Sequence, residues 1–137
     1  MRVAFGTDED TPLARAIVEH LGRRGAEVAW LAEGEQWPEV GRAVGQAVAS
    51  GRADRGVVCC WTGTGVSIAA NKVPGVRAAL CTDAETARGA RRWNDANVLA
   101  VGLRLTSEEV AKEMVDAFLS TGADPKEQAA VGRVEAG

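Results

Sequence analysis

Short apolar runs alternate with amphipathic stretches along the whole chain, and this alternation limits the possible folds more than any other feature. Five runs have the length and apolar character of buried strands, at residues 2–6, 27–31, 55–60, 76–80 and 96–101. Five other stretches are predicted to be helices: residues 11–22, 37–50 and 107–119, which carry apolar residues at helical spacing, and residues 65–71 and 84–92. The order predicts an α/β fold in three layers, with a five-stranded parallel sheet covered by helices on both faces.

Two helix starts carry recognisable signals. Thr11 precedes Pro12 at the start of the first helix, where a hydroxyl cap and a first-turn proline are both favourable. Thr106 with Glu109 three residues later matches a capping box, which predicts Thr106 as the cap of the last long helix. Residues 120–137 are polar and are expected to end in either a short helix or an irregular tail.

Length and composition indicate a single domain over residues 1–137. The net charge is -3 and the Lys and Arg residues are scattered, which argues against nucleic acid or an anionic membrane as the partner. No apolar run approaches the roughly 18–20 residues of a membrane helix. Acidic residues appear as early as Asp8, which argues against a secretory leader at the start of the sequence. We therefore expect a cytoplasmic protein that binds a small molecule.

Cysteine and histidine are too few for the common metal and disulfide frameworks. The three cysteines are an odd number, and His20 is the one histidine, expected at the surface or in packing. A His-rich metal site is excluded and a zinc site is not expected.

Three segments are predicted to meet at one edge of the sheet, because ligands bind beyond the carboxyl ends of parallel strands. They are residues 6–9, 60–67 and 102–104. Trp30 and Trp37 lie outside these segments and are expected to serve packing.

The run TGTGVS, Thr62 to Ser67, follows a strand and opens a helix. Glycines allow a ligand to approach the backbone, and the first N–H groups of a helix attract an anion. The run could equally be a tight strand-to-helix turn with no ligand. It contains neither a dinucleotide-binding fingerprint nor a P-loop.

Cys60 ends the strand just before this loop, and a helix N-terminus favours the thiolate form. Such a thiolate could remove a proton from a carbon next to a carbonyl, while the backbone N–H groups hold the resulting enediolate oxygen. The alternative is a small buried apolar side chain. Cys59 alternates to the other face of the strand, and for both Cys59 and Cys81 burial is the favoured interpretation.

The segments GRADRGVVCCWTGTGVSIAANKVPGVRAALCTD and WNDANVLAVGLR resemble ribose-5-phosphate isomerase type B and the galactose-6-phosphate isomerase subunits. The resemblance covers nearly the whole chain. It implies a Rossmann-like sandwich and an aldose–ketose isomerase that works through a cis-enediolate, with no metal or other cofactor. It also implies a homodimer or tetramer in which each active site lies across a subunit interface, with the C-terminal tail on a neighbouring subunit.

Carried over by position, the resemblance makes Cys60 the base and Thr62 a residue that helps to open the sugar ring. Asp8 would bind sugar hydroxyls and Asn94 the sugar near its enediolate end. The phosphate would be bound by arginines, whose planar fork matches phosphate oxygens. The residues expected to contact the substrate are Asp8, Glu9, Trp61, Gly63, Thr64, Gly65, Val66, Ser67, Trp93, Asn94, Arg104 and Arg133.

Four positions depart from the pattern of the family that the chain resembles. Glu9 stands where a phosphate-binding His is usual, Trp93 where a ring-opening His is usual, and Trp61 where a Gly is usual. Ala129 stands where a second phosphate Arg is usual. The expected pocket is therefore less cationic and more aromatic, and each indole could either line it or fill core or interface.

Three functions are compatible with these residues. The first is isomerisation of ribose 5-phosphate or a similar sugar phosphate. The second is the same chemistry on an unphosphorylated or bulkier sugar, which the altered charge and the two tryptophans favour. The third is a non-catalytic sugar-binding subunit, against which the retained Cys60 argues.

Overall fold

The computed structural model describes all 137 residues and contains one five-stranded sheet with every neighbouring pair parallel. The strands lie in the order β2-β1-β3-β5-β4. Their bounds are β1 Arg2–Thr7, β2 Glu27–Glu33, β3 Arg55–Cys60, β4 Ala78–Leu80 and β5 Val98–Gly102. The helices are α1 Pro12–Arg23, α2 Trp37–Ala49, α3 Thr64–Asn71, α4 Ala84–Asn94, α5 Glu108–Ser120 and α6 Gln128–Ala136, with a 3₁₀ turn at Pro125–Glu127 before α6.

Helices cover both faces of the sheet, which confirms the predicted three-layer α/β sandwich. On one face, α1, α4 and α5 bury a cluster that includes Phe5, Leu99 and Phe118. On the other face, α2 and α3 bury a second cluster that includes Val44 and Val58. Successive strand residues point to opposite faces, so the two cores alternate along each strand. None of the helices has the length and apolar character that a membrane crossing needs.

Helix caps agree with the sequence at α1 and differ at α5. The Thr11 hydroxyl accepts a hydrogen bond from the Ala14 N–H at 3.1 Å, with Pro12 in the first turn. At α5 the cap is Ser107, whose hydroxyl accepts from the Val110 N–H at 3.2 Å. The capping box predicted from Thr106 was therefore wrong by one position, because Ser107 offers an equivalent hydroxyl one residue closer to the apolar face.

The region around β4 differs most from the predicted bounds. β4 begins at Ala78 rather than at residue 76, because the Arg77 N–H donates to the Asn97 side-chain oxygen at 2.7 Å instead of to a strand. α4 continues to Asn94, two residues beyond its predicted end, and stops where Asp95 adopts a left-handed conformation with φ 46°. Trp93 and Asn94 thus belong to the last turn of α4 and not to a loop.

Candidate active site

The three predicted segments do meet at the carboxyl edge of the sheet. The Asp8 N–H donates to the Cys59 carbonyl at 3.3 Å, which ties the end of β1 to β3. The Leu103 N–H donates to the Cys60 carbonyl and the Arg104 N–H to the Trp61 carbonyl, both at 2.9 Å. The pairing of β1 with β3 and of β3 with β5 therefore continues into the segments that follow these strands.

Gly63 makes the turn from β3 into α3 possible. Its φ is +80°, in the left-handed region that side-chain-bearing residues rarely adopt. A Cβ atom at this position would lie 2.5 Å from Leu80 Cδ1 and 2.9 Å from the Gly102 nitrogen. The loop is thus pressed against the ends of β4 and β5, and a residue with a side chain does not fit.

The first turn of α3 offers unpaired backbone donors beside Cys60. The first N–H groups of a helix have no partner within the helix, and those of Thr64, Gly65 and Val66 have no backbone partner elsewhere in the chain. The Ser67 N–H donates to the Gly63 carbonyl at 3.3 Å. These free N–H groups are donors that an oxyanion could accept from.

The thiol of Cys60 lies in the core under α2 and α3, and only 5% of the residue is exposed. Cys59 faces the opposite core, where burial raises the pKa of its thiol. Burial and the nearby Asp83 carboxylate raise the pKa of Cys81 to about 11. The predictions that Cys59 and Cys81 are buried packing residues are confirmed, and Cys60 is the cysteine at the loop.

Asp8 carries an unsatisfied acceptor at this edge. Its Oδ1 atom is buried without a hydrogen-bond partner. Burial, with a smaller contribution from the Glu9 carboxylate, raises the pKa of Asp8. Glu9 itself is exposed and forms no salt bridge within 4 Å, while its backbone N–H and carbonyl bond the Thr7 hydroxyl at 3.3 and 2.7 Å. Asp8 therefore carries an acceptor oxygen that no group of the chain uses.

The loop side chains differ in what they can contribute. The hydroxyls of Thr62 and Thr64 are exposed and lie 2.8 Å apart, within hydrogen-bond distance. Trp61 is 55% exposed. Val66 is fully buried, so it can contribute only its backbone N–H. Arg104 is exposed and forms no salt bridge, which leaves its guanidinium available to an anion.

The remaining predicted residues lie in a separate region of the chain. Trp93, which is 53% exposed, and Asn94 line a cavity of about 800 Å³ together with residues of α6. No residue of the 60–67 loop lines this cavity. Arg133 is exposed on α6 and forms no salt bridge. One chain therefore contains two groups of predicted site residues, one at the strand ends and one between α4 and α6.

Two residues near these groups were missed from the sequence. Trp37 was expected to serve packing outside the site, yet its indole lies on Gly65: a Cβ atom there would be 2.8 Å from Trp37 Cδ2. No local pattern indicates this contact, which follows from the packing of α2 on α3. Arg77 bonds both Asp95 and Glu135, and its position in an apolar run gave no signal of these contacts.

His20 is buried and bonds Asp116 at 2.7 Å, in keeping with a packing role.

Comparisons with known proteins place this geometry in a family. The sequence model of the family described as Ribose/Galactose Isomerase matches residues 3–136. The chain is 44% identical over 123 residues to ribose-5-phosphate isomerase B of Escherichia coli (strain K12), covering 86% of this chain and 83% of that protein. It is 37% identical over 125 residues to D-erythrulose-4-phosphate isomerase of Pectobacterium atrosepticum, covering 87% and 82%.

The same family is found among solved structures. The structure of Clostridium thermocellum ribose-5-phosphate isomerase B superposes with a TM-score of 0.92 at 40% identity, covering 99% of this chain and 96% of that chain. That match extends to the five-stranded parallel sheet and its helices. The chain therefore belongs to the ribose/galactose isomerase family.

Proposed function

We propose that this aldose–ketose isomerase interconverts ribose 5-phosphate and ribulose 5-phosphate, or a closely related sugar phosphate, with Cys60 as the base. The observation that carries the proposal is the position of Cys60 at the end of β3, directly before the unpaired N–H groups of α3. Similarity to enzymes named for ribose 5-phosphate and for D-erythrulose 4-phosphate supports a phosphorylated substrate.

The chemistry is a proton transfer between neighbouring carbons. The Cys60 thiolate removes the proton from C2 of the open-chain aldose, and the electron pair moves to the carbonyl oxygen at C1 to give a cis-enediolate. The N–H groups of the first turn of α3 stabilise the negative oxygen. The proton of the C2 hydroxyl moves to O1, C2 becomes the ketone carbon, and the Cys60 thiol, whose proton exchanges with solvent, returns a proton to C1. The substrate and the product are isomers, so the reaction needs no oxidant, reductant or leaving group.

Other residues at the strand ends bind the sugar. The unsatisfied Oδ1 of Asp8 accepts a hydrogen bond from a sugar hydroxyl. The paired hydroxyls of Thr62 and Thr64 lie beside the loop and can pass a proton to the ring oxygen during opening. Arg104 follows β5 at the same edge and binds the phosphate.

A second copy of the chain completes the site in this proposal. Trp93 and Asn94 line the α4–α6 cavity and Arg133 lies on α6, while no residue of the Cys60 loop lines that cavity, so one chain does not assemble the full set. Exposed apolar side chains lie near both groups, including Trp61, Ile68 and Val134. We therefore propose a homodimer in which the α4–α6 side of one subunit faces the strand ends of its partner. The packing of residues 120–137 on the neighbouring subunit is part of the same proposal.

Cys60→Ser tests the base directly. The variant should lose isomerisation of ribose 5-phosphate while retaining its melting temperature and its affinity for the sugar phosphate, measured by calorimetry. Cys81→Ser is the matched control, because that thiol is buried in the core on the opposite face of the sheet from Cys60, and it should retain full turnover. Unchanged turnover in Cys60→Ser would remove this residue as the base.

Glu9 favours a second candidate, the same chemistry on an unphosphorylated or bulkier sugar. Its exposed and unpaired carboxylate adds negative charge next to Asp8, where a phosphate would be repelled. The double variant Glu9→His with Trp93→His should then raise kcat/KM for ribose 5-phosphate relative to ribose. An unchanged ratio would show that these two positions do not set the preference for phosphate.

A further inference from the structure

α6 is attached to the rest of its own chain by few side-chain interactions. Val131 is its one buried residue, at 8% exposed, and Val134 is largely exposed. The ion pair between Glu135 and Arg77 is the one side-chain hydrogen bond or salt bridge that joins α6 to another element. Within its own chain, α6, and with it Arg133 two residues before Glu135, is therefore held mainly by Arg77 and by the packing of Val131.

The same guanidinium also holds the residue that follows Asn94. Arg77 Nε donates to the Asp95 carbonyl at 2.9 Å, and Arg77 Nη2 lies 3.5 Å from Asp95 Oδ2. Arg91 Nη1 donates to Asp95 Oδ1 at 2.9 Å. Asp95 is the one residue other than glycine with positive φ, and these bonds stabilise it in that conformation. The direction in which α4 ends, and so the place of Asn94, is fixed by them.

Arg77 is itself well fixed at the edge of the sheet. Its N–H donates to the Asn97 side chain at 2.7 Å, and its carbonyl accepts from the Asn97 N–H at 2.9 Å. Its side chain is 19% exposed, so the two ion pairs are less screened by solvent than a fully exposed pair would be. Arg77 thus joins two elements that no other side-chain hydrogen bond or ion pair connects.

We infer that Arg77 is a positioning residue, which holds α6 and the end of α4 as one unit and thereby sets Arg133 relative to Asn94. The inference rests on the proposed function, in which Arg133 binds the substrate phosphate. A phosphate contact is made in the ground state and in the transition state alike, so its loss raises KM and leaves kcat nearly unchanged. Arg77 affects the substrate through Glu135 and Arg133 and does not touch the reacting carbons.

The test uses Glu135→Gln, which removes the charge that Arg77 binds and leaves the bonds of Arg77 to Asp95 intact. Arg133→Gln and the double variant Glu135→Gln with Arg133→Gln complete a double-mutant cycle. Glu85→Gln is the matched control, because it removes an exposed ion pair with Arg88 on α4 that has no link to α6. Three quantities are measured: the Kd of ribose 5-phosphate by calorimetry, KM and kcat, and amide hydrogen exchange of residues 128–136 without ligand.

Glu135→Gln should raise Kd and KM by about two- to fivefold, the effect of losing one partly exposed ion pair, and should speed amide exchange in α6. In the Arg133→Gln background the same change should have no further effect on Kd, since both residues act through one contact. Glu85→Gln should change none of these quantities. Arg77→Gln should reproduce the effect of Glu135→Gln on α6 exchange.

Two results would overturn the inference. One is unchanged amide exchange in Glu135→Gln, because α6 would then be held without Arg77. The other is an equal increase in Kd with and without Arg133, because the effect would then not pass through that residue. If wild-type protein binds ribose 5-phosphate without converting it, the proposed function fails, while the Kd cycle still decides the role of Arg77.

Discussion

Gly65 is the position where a single methyl group most directly tests the geometry of the loop. A Cβ atom there would lie 2.8, 2.9 and 3.2 Å from Cδ2, Cε3 and Cγ of Trp37. Ordinary contact begins at 3.4 Å, so the closest pair is short by about 0.6 Å. In Gly65→Ala either the indole or the first turn of α3 must move by that amount.

The change in the free energy of unfolding caused by Gly65→Ala should differ between the wild-type chain and a Trp37→Ala variant. Overpacking costs about 1–3 kcal/mol, and replacing Gly by Ala within a helix returns up to about 1 kcal/mol. Gly65→Ala should therefore lower the free energy of unfolding by about 1–2 kcal/mol in the wild-type chain. In a Trp37→Ala background the clash is absent, and the same substitution should be neutral or slightly stabilising.

Urea unfolding of the four proteins measures this coupling, and isomerase kinetics report the position of the loop. Because a misplacement of about 1 Å can cost on the order of 100-fold in rate, we expect Gly65→Ala to lower kcat about tenfold or more. Gly22→Ala on α1, where nothing lies within 4 Å, is the control and should be harmless. An equal cost of Gly65→Ala with and without Trp37 would refute the contact.

Three further predictions follow from burial and backbone geometry. Burial and Glu9 raise the pKa of Asp8, so the folded chain keeps the carboxyl proton to higher pH than the unfolded chain, and the stability of the fold falls as pH rises above the ordinary aspartate range. Asp8→Asn should therefore raise Tm more at pH 7 than at pH 3. An equal change in Tm at both pH values would contradict this. Iodoacetamide at pH 8 should modify Cys60 first, because burial raises the pKa values of Cys59 and Cys81; peptide mass spectrometry showing Cys81 modified first would be the opposite result. Gly63→Ala should lower the melting temperature more than the matched Gly25→Ala, because Gly25 has a similar φ of +86° but no neighbour within 4 Å. Equal melting temperatures of the two variants would argue against a crowded loop.

The periodicity of the chain was sufficient to predict the fold and the edge of the sheet that carries the loop. β3 was predicted with its observed bounds, because RGVVCC is bounded on both sides by turn residues. The positions of Cys59 and Cys60 on opposite faces follow from the two-residue period of a strand. Parallel pairing then brought Asp8, Cys60 and Arg104 to one edge, since their strands are adjacent.

Features that depend on long-range contacts could not be predicted from local pattern. β4 is short because an Asn97 side chain takes the Arg77 N–H from 20 residues away. The stacking of Trp37 on Gly65 requires the packing of α2 on α3. The region between α4 and α6 depends on Arg77 bonds that span 18 and 58 residues. In each case the two residues are distant in sequence, and neither residue type by itself indicates that they are in contact.

The central claim, that Cys60 and its loop move a proton between two sugar carbons, is tested most directly by proton NMR of ribose 5-phosphate in D₂O. We expect ribulose 5-phosphate with deuterium at C1, deuterium at C2 of the recovered aldose, and neither change with Cys60→Ser. Failure of folded wild-type protein to convert or exchange this sugar would contradict the proposed substrate. Conversion at the wild-type rate by Cys60→Ser would contradict the proposed base.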